Sequence, residues 1–101
     1  MRFVATSADI VLLKEAINLW GLSGQVYKTI EETSELNIEL ARGLVAGGPD
    51  CDKLADEIAD VHIMLHSLAY GFGINETVDT RVDFKMNRLE LLVRRGCPAI
   101  D

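Results

Sequence analysis

Glu31-Glu32-Thr33-Ser34-Glu35-Leu36 and, further along, Asp56-Glu57-Ile58-Ala59-Asp60-Val61 decide how this chain is read. Each stretch carries two carboxylates three positions apart, Glu32 with Glu35 and Glu57 with Asp60. Residues three apart on a helix share a face, so the spacing predicts two helices that each present a pair of acids. Packed together, these helices gather four carboxylates into one pocket. Four carboxylates that close do not all stay ionised without a positive charge among them. Ligands that are all oxygen suit a hard divalent cation, Mg²⁺ or Mn²⁺. The pattern points to metal-assisted chemistry on phosphates.

The flanking residues frame these two helices with two more. Thr6, with Asp9 three residues on, resembles a capping box opening a first helix that Gly21 closes. The second helix is expected from about Gly24 to Arg42, ending in a loop that holds Gly47, Gly48 and Pro49. Asp50 caps a third that reaches about Tyr70 before Gly71 and Gly73. Asn75 is expected to cap a fourth, running to Arg95, with Gly96 and Pro98 as stop signals. No segment alternates with period two, so no substantial sheet is expected. The fold class is all-α: one domain over residues 1–101, a four-helix bundle-like subunit that dimerises or tetramerises.

Composition narrows the function. With 101 residues, 49% hydrophobic and 26% charged, the chain has the balance of a single globular domain. A domain this small buries a modest core and gains from self-association. A net charge of −6 argues against nonspecific nucleic-acid binding, which wants a basic surface, and suits a cation site. Cys51 and Cys97 stand far apart with no nearby Cys/His set, so reduced thiols in a cytoplasmic protein are expected. Residues 1–12 lack the three parts of a signal peptide. The uncharged run Val61–Asn75 holds two histidines and is too short to span a bilayer. No membrane partner is expected.

Helix faces carry the next signal. In the second helix Val26, Ile30, Thr33, Asn37 and Leu40 form a largely apolar stripe, with Glu32, Glu35 and Glu39 opposite it. Alone, that reads as a solvated acidic face. The third helix shifts the balance. Its main stripe is Leu54, Ile58, Val61, Leu65 and Leu68, and Ile63, Met64 and Tyr70 add apolar surface elsewhere, as if it were buried on several sides. Glu57 lies beside the arc of Val61, Met64 and Leu68, where an unpaired charge is costly. In the fourth helix Lys85 interrupts the stripe of Val78, Val82, Leu89 and Leu92, with Arg81 and Arg88 on one flank. This basic row either pairs with acids on neighbouring helices or meets substrate phosphates. Arg81 and Arg95 read as surface residues. His62 and His66 have the i, i+4 spacing of a zinc chelate, yet they point away from Glu57 and Asp60 and read as core or interface histidines. Trp20 and Tyr27 read as packing residues. Gly43, Gly47 and Gly48 make no phosphate loop, since no G-K-[ST] follows.

The ordered set Glu31-Glu32-x-x-Glu35-Leu36 and Asp56-Glu57-x-x-Asp60-Val61 resembles the E-E-x-x-E … E-x-x-D signature of MazG-like all-α nucleotide pyrophosphohydrolases. The likeness extends from Trp20-Gly21 and Gln25 to Lys85-x-x-Arg88-Leu89, roughly Trp20 to Arg95. It implies a helical bundle assembled as a dimer or a pair of dimers, hydrolysing nucleoside triphosphates to monophosphate and pyrophosphate with Mg²⁺. By motif position, Glu32, Glu35, Glu57 and Asp60 are the expected metal ligands, and Glu31 the residue that orients or deprotonates the attacking water. Lys85 and Arg88 would contact phosphates, and Gln25 and Trp20 would meet the nucleoside. Carboxylates suit the task because they bind hard cations and accept protons. Two alternatives stay open. The substrate is a nucleoside diphosphate or phosphoribosyl-ATP, or the chain is a non-catalytic helical module that binds metal or a partner.

Overall fold

Thr6 starts the first helix as expected. In the computed structural model, which describes residues 5–96, its hydroxyl accepts the Asp9 N–H at 3.1 Å, and the Asp9 carboxylate accepts the Thr6 N–H at 2.9 Å. That capping box satisfies two backbone donors at the start of α1 (Ser7–Trp20). The backbone bond from Thr6, then its hydroxyl, holds the Asp9 carboxyl below its ordinary range. Gly21 alone joins α1 to α2 (Leu22–Ala46). Its φ of 79° and ψ of 153° lie in a region open essentially to glycine, so one residue turns the chain.

The second helix is longer at both ends than Gly24–Arg42. Gly43 does not stop it. A Cβ there would sit 3.0 Å from the Pro49 Cα, so the missing side chain admits the returning loop while the helix continues. Gly47, at φ 82° in the left-handed region, ends α2. Asp50 then accepts the Lys53 N–H at 3.2 Å and starts α3 (Cys51–Gly71). The expected Asn75 cap is corrected. Ile74 N–H bonds back to the Ala69 carbonyl at 2.9 Å and Gly73 N–H to that of Tyr70 at 3.2 Å. This tight turn makes Ile74 the cap residue and Asn75 the first residue of α4 (Asn75–Arg94). Cys97 and Pro98 lie outside the described residues.

Among the described residues every regular element is helical. Gln25 meets Ser67 near one end of the α2–α3 pair, and Glu32 and Glu35 meet Glu57 further along it, so the two helices run antiparallel. α1 packs on both, whereas α4 packs on α3 alone. No side chain of α4 is buried. Met64 and Ala69 are the buried apolar residues among those described, against twenty-two large apolar side chains left exposed. The reading of α3 as buried on several sides is therefore corrected for the single chain: Ile58, Ile63 and Leu65 are exposed, because α4 covers so little of it. Trp20 and Tyr27, read as packing residues, are 66% and 74% exposed among the described residues. No described helix is long and apolar enough to cross a membrane.

Candidate metal centre

The face of α2 that turns inward is polar. Gln25, Thr29, Glu32, Glu39 and Gly43 are its buried residues, a helical row at spacings of three, four and seven. The solvated reading of Glu32 and Glu39 is thereby overturned. Several apolar residues of α2 turn outward instead, with Ile30, Ile38 and Leu40 exposed and Val45 at 91%, while Val26 and Leu36 are half-buried. An open concavity of about 540 Å³, lined by Ile38, Ala41, Arg42, Val45 and Ala46, lies on that outer side. Hydrophobic burial normally fixes which stripe faces in; here the acids of α2 face the acid of α3.

Three of the four expected acids converge. Glu32, Glu35 and Glu57 each offer a carboxylate oxygen, all within 4.8 Å of one another. Glu32 is 7% exposed. Its Oε2 and that of Glu57 are buried and have no hydrogen-bond partner. Burial, then the charges of Glu35, Asp60, Glu32 and Glu39, pushes the Glu57 carboxyl above its ordinary range. Orphaned buried oxygens of this kind are costly unless something pairs with them. An all-carboxylate donor set with two unsatisfied oxygens fits a hard divalent cation, which takes oxygen ligands and supplies the missing charge. Asp60 lies outside the trio on the exposed side of α3 and reaches it through its charge on Glu57.

Two cations already touch this face. Lys28 Nζ lies 3.0 Å from Glu32 Oε1 and 3.3 Å from Glu31 Oε1. The hydrogen bonds that its ammonium donates to Glu32 and then to Glu31 raise the Lys28 pKa. Arg42 pairs with the buried Glu39 at 3.1 Å. Glu31 itself is exposed, one position away from the buried row. The sequence reading overlooked Lys28, although its place four residues before Glu32 is the signal for an i, i+4 pair.

The remaining predicted residues divide. Gln25 is buried, and its side-chain oxygen accepts the Ser67 hydroxyl at 3.0 Å. Thr29 donates its hydroxyl to the Gln25 carbonyl at 2.7 Å. Trp20 stands exposed at the end of α1. Lys85 and Arg88 are exposed on α4, and Lys85 makes no ion pair with the acids among the described residues. His62 and His66 stack with ring centres 5.3 Å apart, outside the acidic trio. Burial, then the charge of His62, lowers the His66 pKa. No family model matches the chain, and no curated protein or solved structure matches it significantly.

Proposed function

We propose that the chain is a Mg²⁺-dependent nucleoside triphosphate pyrophosphohydrolase of the MazG-like all-α type, with Mn²⁺ as a substitute. One observation carries the reading: carboxylates of Glu32, Glu35 and Glu57 meet with two buried oxygens unpartnered. Clustering of that kind destabilises the chain unless a cation occupies it. Glu32, Glu35 and Glu57 would hold the ion, with Asp60 one turn along α3 completing the set. Mg²⁺ in that place supplies charge neutralisation for phosphate oxygens and lowers the pKa of water.

The side chains divide the remaining work. Glu31, exposed beside Glu32, takes the proton of the attacking water. Water oxygen bonds to the α-phosphorus, the bond from that phosphorus to the oxygen bridging to the β-phosphate breaks, and pyrophosphate leaves with that oxygen and the electron pair. Gln25, held by Ser67, and Trp20 meet the nucleoside, and Lys85 and Arg88 meet phosphates. The exposed apolar surface supports a homodimer or homotetramer, since two buried apolar side chains do not offset the entropy of ordering this chain. The exposed Cys51 thiol suits a reducing cytoplasm.

The test is incubation of purified protein with Mg²⁺ and a panel of ribo- and deoxyribonucleoside tri- and diphosphates plus phosphoribosyl-ATP, with products resolved by chromatography. Monophosphate and pyrophosphate from a triphosphate support the proposal, and the preferred base identifies the substrate. Turnover of only the diphosphates or phosphoribosyl-ATP moves the activity to that substrate class. Failure on all of them with both Mg²⁺ and Mn²⁺ leaves a helical binding module.

A further inference from the structure

We propose that Lys28 is a built-in counter-ion of the acidic centre, displaced by the divalent cation and then used to hold substrate phosphate. The inference rests on the metal-centre reading above and goes beyond it by assigning a role to a residue outside the acidic motif.

The argument begins with the state of Glu32. Its side chain is almost wholly buried, one oxygen is unpartnered, and the other is held by the Lys28 ammonium at 3.0 Å. Lys28 itself is half exposed, and the same ammonium reaches Glu31 at 3.3 Å. It therefore bridges the buried acid and the exposed one, at the solvent side of the trio. Glu32 is thus shared between an ammonium and the position that a divalent cation would take.

A divalent ion on Glu32, Glu35 and Glu57 carries more charge than an ammonium and more carboxylate partners. It competes directly for Glu32, and like charges disfavour both cations on one carboxylate. Lys28 is placed to yield, because half its side chain is already in water and its stem is flexible. A polyphosphate approaching this face otherwise meets Glu31, Glu35, Glu57 and Asp60. The released ammonium is one of two positive groups that the structure places on this face of α2, the other being Arg42 on Glu39, and a lysine serves phosphate as a mobile point charge. A surface pair at i, i+4 with no such role would contribute little to anything measured.

The test compares wild type, Lys28→Met and Lys28→Arg. Mn²⁺ binding is measured by calorimetry on the metal-free proteins. Pyrophosphate binding is measured at saturating Mn²⁺, and KM and kcat are measured with the triphosphate that the panel assay identifies. Lys28→Met is expected to bind Mn²⁺ roughly fivefold more tightly, because the competing ammonium is gone. The same variant should lose roughly tenfold in pyrophosphate affinity, with KM rising by a similar factor and kcat changing less. Lys28→Arg keeps the charge and should restore most of the pyrophosphate affinity. Unchanged or weaker Mn²⁺ binding in Lys28→Met overturns the proposal, as does unchanged pyrophosphate binding. If wild type binds no Mn²⁺ at all, the metal-centre reading falls and the role of Lys28 falls with it. A wild type that binds Mn²⁺ as Lys28→Met does removes the role of Lys28 alone.

Discussion

Ser67→Ala is expected to destabilise the chain far more than the loss of one oxygen atom suggests. Ser67 is 1% exposed, and its hydroxyl donates at 3.0 Å to the Gln25 side-chain oxygen, itself on the buried face of α2. Alanine keeps the same Cβ, so the cavity left behind is negligible and the electrostatic loss dominates. A neutral hydrogen bond contributes about 1 kcal/mol net, and an acceptor left buried without a partner brings the total to about 1–3 kcal/mol. For a domain of this length each kcal/mol moves the melting temperature by about 4–8 °C, so a loss near 2 kcal/mol appears as a drop of roughly 8–16 °C. Gln25→Met should cost less, because the freed serine hydroxyl can turn to a carbonyl of its own helix. The double variant removes both partners and should lose well under the sum of the two single losses, the shortfall being a coupling of about 1–2 kcal/mol. Thermal and urea unfolding followed by circular dichroism, at one protein concentration and one metal concentration, measures all four proteins. Either of two results refutes the reasoning: Ser67→Ala within about 0.5 kcal/mol of wild type, or a cycle that is additive within that margin.

Other expectations follow from the same packing. Glu57 has a raised pKa, so between the ordinary glutamate value and the raised one the folded chain keeps a proton that the unfolded chain has released. Stability in chelator is then greatest at low pH within that window and falls as pH rises through it; Glu57→Gln should flatten the fall, and an identical slope in both proteins would count against the burial argument. Glu32→Gln, Glu35→Gln, Glu57→Gln and Asp60→Asn should each abolish turnover while leaving the far-ultraviolet helical signal intact, and near-normal rates in two of them would show that the site is wrongly placed. Gly43→Ala pushes a methyl group to 3.0 Å from the Pro49 backbone; strain of about 1–3 kcal/mol should exceed the helix-propensity gain of about 1 kcal/mol, and a rise in melting temperature would refute it. Light scattering at micromolar concentration should report two or four chains, with melting temperature rising with concentration; a stable monomer with neither behaviour would sink the assembly.

The helices were legible because their punctuation is local. Thr6 with Asp9 and Asp50 with Lys53 act within a few residues and start α1 and α3 where the sequence places them, while Gly47 ends α2 at Ala46, four residues past the expected Arg42. Asn75 failed as a cap because the bond that sets α4 reaches back to Ala69, across the turn. Of the acids, Glu57 was the informative one, an ionisable group beside apolar neighbours on a helix otherwise rich in them. The direction of α2 was not legible. Hydrophobic periodicity finds two faces but not which is covered, and much of the apolar face of α2, Ile30 and Leu40 included, stays exposed among the described residues. Gln25 and Ser67 are 42 positions apart, a pairing that no local pattern announces. Lys28 was overlooked because a lysine four residues before a glutamate looks like any surface pair until the glutamate proves to be buried.

Only the backbone angles of Gly21, φ 79° and ψ 153°, separate α1 from α2, and helical values of both would fuse them into a rod from Ser7 to Ala46, about 60 Å long at the usual rise per residue. In that rod α1 would leave the α3 of its own chain, and the surface it covers would be open to the same arm of a second copy. Any side chain larger than hydrogen at Gly21 penalises the bent form and leaves the rod unstrained. The joint thus decides, at one residue, whether α1 folds back on its own α2–α3 pair or stands away from it.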